Sequence, residues 1–316
     1  MGTVKDREPF RWHSTISYKT VPKIVTRGYD TTELVEKGYG FADVIFINYQ
    51  ARIPLVKEMK MLHYLMILCL EDGMSTAAGI SRFAAKGHNI LTQSAGASIL
   101  AFGHAYGAYQ AYGRMLDGYL ERAEKEGKSY QEMAEVLVGE NQGSLTLGVS
   151  NLMLKDPAAK RIFAKADSLD LSGKYIAFQR EIVKAVQKAS NESVDLDMLG
   201  AVGATMFDLG FTPEATWSIV ALARAFGATA HALEEEEREP RVAFGQNLQP
   251  KEYYDGPPDR PVPPLKIRDK VVKPAQTKTL EEWRRAFDER AKLRGSGWAI
   301  VEEIADPRKL VKAKDK

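Results

Sequence analysis

The sequence has a single cysteine, no long apolar run, few aromatic residues and no excess of charge of either sign. With Cys69 alone, no intramolecular disulfide can form. Its place in the run Leu65-Met66-Ile67-Leu68-Cys69-Leu70 reads as a packed thiol rather than a nucleophile. No stretch approaches the roughly 18 uncharged apolar residues that a membrane span needs, and the segment from Met1 to Glu8 has no apolar h-region. Neither membrane spanning nor secretion is therefore expected, and a cytoplasmic location is. Lysine and arginine number 44 against 42 aspartates and glutamates, a net charge of +2, with aromatics at 9%. That balance gives no electrostatic reason to expect nucleic acid or an anionic membrane as a partner. Metal-ligand spacings such as His-x-x-x-His or Cys-x-x-Cys are absent, and the glycines at 139, 143 and 148 form no phosphate loop. Strand signals are sparse as well: Val44-Ile45-Phe46-Ile47 fits a short strand or a buried helical turn.

What the chain does have is helical periodicity. Over residues 56–72, Val56, Met59, Leu62, Leu65, Met66 and Cys69 recur at spacings of three and four and make one apolar face. Further helices are expected at about 76–86, 94–123, 130–138, 157–167, 173–190, 195–209 and 213–236. Ser129-Tyr130-Gln131-Glu132 is a capping box, and Thr212-Pro213 places a cap residue before a proline suited to the first turn. The composition changes near Pro240, because eight of the 14 prolines fall within residues 240–274. Proline lacks the amide proton and clashes with the preceding turn, so this stretch reads as an extended arm. A second capping box, Thr279-Leu280-Glu281-Glu282, starts one more helix to about Leu293. Tyr253, Tyr254, Trp283, Phe287, Trp298 and Ile300 give the arm and tail more apolar anchors than a solvated tail needs, so docking on a subunit is expected.

Six blocks then occur in order. They are Val25-Thr26-Arg27-Gly28-Tyr29-Asp30 with Glu33-Leu34; Leu70-Glu71-Asp72-Gly73-Met74-Ser75-Thr76; Gly103-His104-Ala105-Tyr106-Gly107-Ala108; Gly148-Val149-Ser150-Asn151 with Lys155-Asp156-Pro157; Leu199-Gly200-Ala201 ahead of Asp208-Leu209-Gly210; and Ala223-Arg224-Ala225-Phe226-Gly227 with His231 and Glu234-Glu235. Taken together, over residues 15–260, they resemble the citrate synthase and citryl-CoA lyase family. The resemblance implies an all-α, citrate synthase-like fold with large and small helical domains and an extended C-terminal arm. The expected division is residues 1–145 as the first part of the large domain, 146–235 as the small domain, and 236–316 as arm plus short helix packing on a homodimer. It also implies chemistry at a carbon–carbon bond next to a CoA thioester. In such chemistry a carboxylate removes an α-proton, one histidine stabilises the enol and another polarises the acceptor carbonyl. Arginines hold the substrate carboxylates, because their planar fork matches a carboxylate bidentately.

The sequence departs from the family pattern at the chemical positions. Tyr106 stands where the enol-stabilising histidine belongs, with His104 needing a one-turn adjustment, and Asn151 stands in place of the second histidine. Counting back from Gly210 puts Leu199 at the catalytic aspartate. Asp197 is only two residues earlier, but two helical steps rotate it by about 200°, toward the opposite face. Asp72-Gly73 replaces an aspartate-histidine pair, and Ala158 replaces a substrate arginine, with Arg161 one turn along.

The remaining groups that carry chemistry are His104, Tyr106, Asn151 and Glu71 as catalytic candidates, and Arg224, Arg27, Arg161 and His231 as substrate-binding candidates. Arg224 either holds a ligand or pairs with the Glu234–Glu237 run, which itself reads as a solvated helix end. Glu71 and Asp72 are carboxylate bases or turn and cap residues. The expected activity is a carbon–carbon lyase or acyltransferase acting on an acyl-CoA or related carboxylated substrate with altered catalytic groups. The alternative is a non-catalytic ligand-binding or subunit-partner protein on the same scaffold. No tightly bound cofactor or metal is expected, a coenzyme A thioester being the possible substrate.

Overall fold

The computed structural model describes residues 13–87, 90–102, 108–141, 147–151, 157–190 and 193–238, together with Val262 and Pro264; at Asn151 and Pro157 it describes the backbone only. The chain divides into two units, residues 1–241 and 242–316, and the described architecture belongs to the first. The arm at 240–264, apart from Val262 and Pro264, and the helix expected from Thr279 lie outside the described residues.

The described chain opens with a three-stranded antiparallel ribbon, β1 (Ser17–Lys19), β2 (Ile24–Thr26) and β3 (Tyr29–Asp30), in the order β1-β2-β3. The two residues between β2 and β3, Arg27 and Gly28, both have positive φ, as a tight hairpin turn requires. Asp30 then caps α1 (Thr31–Glu36) by accepting hydrogen bonds from the Thr32 and Glu33 amides.

The segment Val44–Ile47 lies in a helix, α2 (Phe41–Gln50), with Ile45, Phe46 and Ile47 all buried. Burial on several sides is what removed the amphipathic signal there. Then come α3 (Val56–Leu70), α4 (Thr76–Lys86), α5 (Leu91–Ala101), α6 (Tyr109–Glu126), α7 (Tyr130–Glu140), strand β4 (Val149–Asn151), α8 (Pro157–Ser168), α9 (Lys174–Ala189), strand β5 (Val194–Leu196), α10 (Met198–Asp208) and α11 (Pro213–Arg238). The fold is thus almost wholly helical. No helix among the described residues is long and apolar enough to cross a membrane.

Three expectations change. In place of one helix over 94–123, the described residues hold two, α5 ending at Ala101 and α6 starting at Tyr109, and residues 103–107 lie outside the described residues. In α3, Leu62, Leu65 and Cys69 are buried as read, while Val56 at its first turn is exposed. The helix expected from 195 begins only at Met198, because residues 194–196 pair with β4 in the register Val149↔Leu196, Ser150↔Asp195 and Asn151↔Val194.

Two apolar cores hold the first unit together. One joins α2, α3, α8, α10 and α11 through Phe46, Leu62, Leu65, Ile162, Val202 and Ile219. The other joins α6, α7 and α9 through Leu116, Met133, Leu137, Phe178 and Ile182. Tyr175 and Leu199 pack against both. The Asp208 carboxylate accepts from the amides of Gly173, Tyr175 and Ile176, so one helix's last residue caps the start of α9.

Candidate active site

Two junctions gather the chemically capable side chains. The first lies where the connector between α3 and α4 meets α11. Position 227 must be glycine there: a Cβ would stand 2.1 Å from Glu71 Oε1 and 2.3 Å from the Leu70 carbonyl oxygen. That close approach lets the face of α11 bearing Arg224, Gly227, His231 and Glu235, at spacings of three and four, run along the end of α3 and onto α4. Arg224 Nε donates to the Cys69 carbonyl at 2.8 Å, and Arg224 Nη1 lies 2.5 Å from Asp72 Oδ2. The guanidinium also sits 5.9 Å from the centre of the buried Phe102 ring. About two turns further along, His231 Nε2 is 3.2 Å from Glu71 Oε2.

The burial of these partners is uneven. The Arg224 and His231 side chains are 13% and 19% exposed, whereas Asp72 and Glu71 are 45% and 50% exposed. Cationic or proton-carrying groups on a rigid helix are thus covered by two carboxylates from a short connector.

The partner of Arg224 is therefore Asp72 and not the Glu234–Glu237 run. Ten residues along one helix is about 15 Å, beyond the reach of an arginine side chain. Nor is that run wholly solvated. Glu235 is 4% exposed and lies between Arg82 Nη2 at 2.5 Å and Lys86 Nζ at 2.7 Å, while Glu234 pairs with Arg82 and Arg238. Burial pushes the Glu235 carboxyl up, but Lys86 and Arg82 more than reverse this and hold it below the ordinary glutamate value.

The second junction is the β4–β5 ladder and the start of α10. Gly148 and Gly200 touch backbone to backbone, since a Cβ on Gly148 would lie 2.6 Å from the Gly200 Cα. Buried Gln179 donates to the Leu147 and Gly148 carbonyls and accepts from the Tyr112 hydroxyl at 2.8 Å, which fixes the contact. Asp197 is the N-cap of α10, its Oδ1 accepting from the Gly200 amide at 2.9 Å. Asp197 precedes the helix and is extended rather than helical, so the expected helical rotation of about 200° away from Leu199 does not occur. Burial raises its pKa to about 6, against the opposing hydrogen bonds from the Gly200 and Leu199 amides. Leu199 is packed between the two cores.

Tyr109, the first residue of α6, is buried. Its hydroxyl is pushed well above the ordinary tyrosine pKa first by burial, then by the Cys69 thiol and Asp197, and it is eased by Arg224. Asp197 and Arg224 therefore act electrostatically on one buried phenol.

Of the expected site residues, the structure brings Glu71, Arg224 and His231 together. Arg27 is elsewhere: its guanidinium donates to the Asn48 and Thr15 carbonyls and ties the hairpin to α2. Arg161 is exposed on α8. Asn151 ends β4 opposite Val194, with its side chain outside the described atoms. His104 and Tyr106 lie outside the described residues. Asp72 was read as a carboxylate base or a turn and cap residue, not as the partner of Arg224; Tyr109 had no signal, since it is recruited by tertiary contact. The N-cap position of Asp197 was legible only once the preceding residues were known to be strand.

No family model matches the sequence, and no curated protein matches it. Solved structures do. Citryl-CoA lyase from Hydrogenobacter thermophilus superposes with a TM-score of 0.69 at 24% identity, over 80% of this chain and 97% of that one. ATP citrate lyase from Methanosaeta concilii, in complex with (3S)-citryl-CoA, gives 0.62 at 16% identity, over 84% of this chain and 44% of that one. Citrate synthase from the archaeon Thermoplasma acidophilum, in a ternary complex with carboxymethyl coenzyme A and oxaloacetate, gives 0.58 at 18% identity, over 72% of this chain and 60% of that one. The fold of this chain is therefore citrate synthase-like.

Proposed function

We propose that the chain is an enzyme that makes or breaks a carbon–carbon bond in a carboxylated acyl-CoA, with Arg224 holding a substrate carboxylate. The observation that carries this reading is the guanidinium on α11, anchored at Nε and turned by Nη1 toward a carboxylate, on a fold shared with citryl-CoA lyase and citrate synthase. In the cleavage direction a base takes the proton of the substrate hydroxyl. The carbon–carbon bond then breaks toward the thioester, the oxygen becomes a carbonyl, and the resulting enolate takes up a proton to give the shorter acyl-CoA. Asp197 is suited to the base: with a pKa near 6 it is ionised at neutral pH yet basic enough to accept a proton. Glu71 beside His231 is the other carboxylate available. Tyr106, His104 and Asn151 remain donors to the enolate or carbonyl, as the resemblance implies.

A homodimer is part of this proposal. Leu222, Phe226 and Leu233 form an exposed apolar stripe on the outer side of α11. Phe226 opens onto an apolar groove of about 470 Å³ that includes Phe41, Met59, Met66 and Ile67. Apolar surface of this kind is covered in a soluble assembly.

The test is product formation from citryl-CoA and other 3-hydroxyacyl-CoA acids. Wild type should turn over a member of the panel, Asp197→Asn should lose about 10²–10⁴ in rate, and Arg224→Ala should mainly raise KM. Absence of turnover across the panel by wild type would overturn the enzyme reading. Full activity of Tyr106→Phe and His104→Ala would remove those two from the site.

A further inference from the structure

The pairing of Arg224 raises a question that the proposed reaction does not answer: the guanidinium assigned to a substrate carboxylate already has one. We propose that Asp72 is a built-in stand-in for that carboxylate, neutralising Arg224 in the empty site and leaving it when an anionic substrate arrives. The inference rests on the reading of Arg224 as a carboxylate-binding residue and adds an exchange step to it.

Three observations support the exchange. The first is the unequal burial of the pair. Arg224 is 13% exposed and anchored by its Nε hydrogen bond to the Cys69 carbonyl, whereas Asp72 is 45% exposed. Leaving Arg224 uncompensated would place a mostly buried charge without a partner, which is costly. Turning Asp72 outward returns a half-solvated carboxylate to water, which is not. Asp72 is thus the partner that moves, and it moves only when another anion takes its place.

The second observation is the position of Asp72 in the chain. It lies in the short connector between Leu70, the last residue of α3, and Thr76, the first of α4, after an extended Glu71 and before Gly73 at a φ of +55°. No helix has to unwind for its side chain to swing.

The third is the recess itself. Asp72, Ser75, Thr76, Ala77, Phe102 and Arg224 enclose a space that leaves no room for a water molecule. Asp72 is part of its lining, and a ligand carboxylate that took the place of Asp72 would face Arg224 and the first turn of α4 together, where the helix dipole also favours negative charge. The Glu71–His231 pair next to it repeats the arrangement of exposed carboxylate on sheltered helix group.

The account predicts that an anion competes with Asp72, so removing the charge at position 72 strengthens binding of a polycarboxylate. Isothermal titration of the full chain with citrate, at one pH and low salt, compares wild type, Asp72→Asn, Arg224→Ala and the double variant. Asp72→Asn should bind citrate about five to ten times more tightly than wild type, and the gain should vanish in the Arg224→Ala background. A gain that persists without Arg224 would mean only that a negative charge has been removed from the neighbourhood, and would overturn the stand-in. If Arg224→Ala weakens binding while Asp72→Asn binds no better than wild type, Asp72 is a fixed structural partner; the stand-in fails and the carboxylate reading survives. If wild type and Arg224→Ala bind citrate equally, or neither wild type nor Asp72→Asn binds it up to about 10 mM, the carboxylate reading itself fails. Asp72→Ser serves as a second variant, with thermal melting confirming that each protein is folded.

Discussion

Two ion-paired regions lie on the same face of α11, and they differ in which partner is buried. At the C-terminal end Glu235 is the buried member, 4% exposed, held by Arg82 and Lys86 reaching across from α4. Three turns earlier, Arg224 is the sheltered member and faces Asp72 on a half-exposed connector. In the first case all partners project from regular helices, and separating them strands a carboxylate in the interior. In the second, one partner can return to water. An ion pair built wholly from packed helices acts as a clamp, whereas one with a partner on a connector can exchange that partner for a ligand.

Mutation separates the two. Arg82→Met should cost about 3 kcal/mol in chemical denaturation, because it removes one of two cations from a buried carboxylate. Gly227→Ala should cost about 2 kcal/mol, since its Cβ meets the Leu70 carbonyl and Glu71; it should also separate Glu71 from His231.

The pH dependence contrasts two carboxylates instead of two pairs. Asp197 titrates near 6 in the folded chain and at about 3.9 in an unfolded one. Between those values the folded state keeps a proton that the unfolded state has lost, so its contribution to stability falls as pH rises from about 4 to 6 and stays low above. Asp197→Asn keeps the cap and removes the titration, so its stability advantage over wild type should grow by about 1 kcal/mol or more across that window. A constant difference would contradict the assignment. Glu235 works in the opposite sense: its carboxyl is held below the ordinary value, so its contribution is present above about pH 4.5 and is lost on acidification. The smallest effect is expected at the connector, where Arg224→Met leaves only the half-exposed Asp72 carboxylate to return to water and should change stability by about 1 kcal/mol or less. A loss there as large as that of Arg82→Met would erase the distinction between clamp and exchangeable pair.

The helices were legible where local chemistry sets them. Ser129 and Glu132 form the capping box that the sequence announces, and Thr212 Oγ1 accepts from the Ala215 amide ahead of the Pro213 start. Local pattern misled where tertiary contact decides. Ile45, Phe46 and Ile47 are buried within α2, which hid its periodicity, and residues 194–196 joined a strand only because β4 was there to pair with them. The same division holds for the site. Arg224 and His231 were legible from their seven-residue spacing on one helix, and Glu71 from its place at the end of another. The contact of Arg224 with Asp72 was not, because it depends on how closely Gly227 lets α11 approach α3. Nothing in a single sequence reports that distance.

The most direct test of an exchangeable pair beside a fixed one is a crystal structure of the full chain with citrate. The account predicts a citrate carboxylate on the Arg224 guanidinium, Asp72 turned to solvent, Arg224 Nε still donating to the Cys69 carbonyl, and Glu235 unchanged between Arg82 and Lys86. Citrate bound elsewhere, with Asp72 still on Arg224, would contradict it.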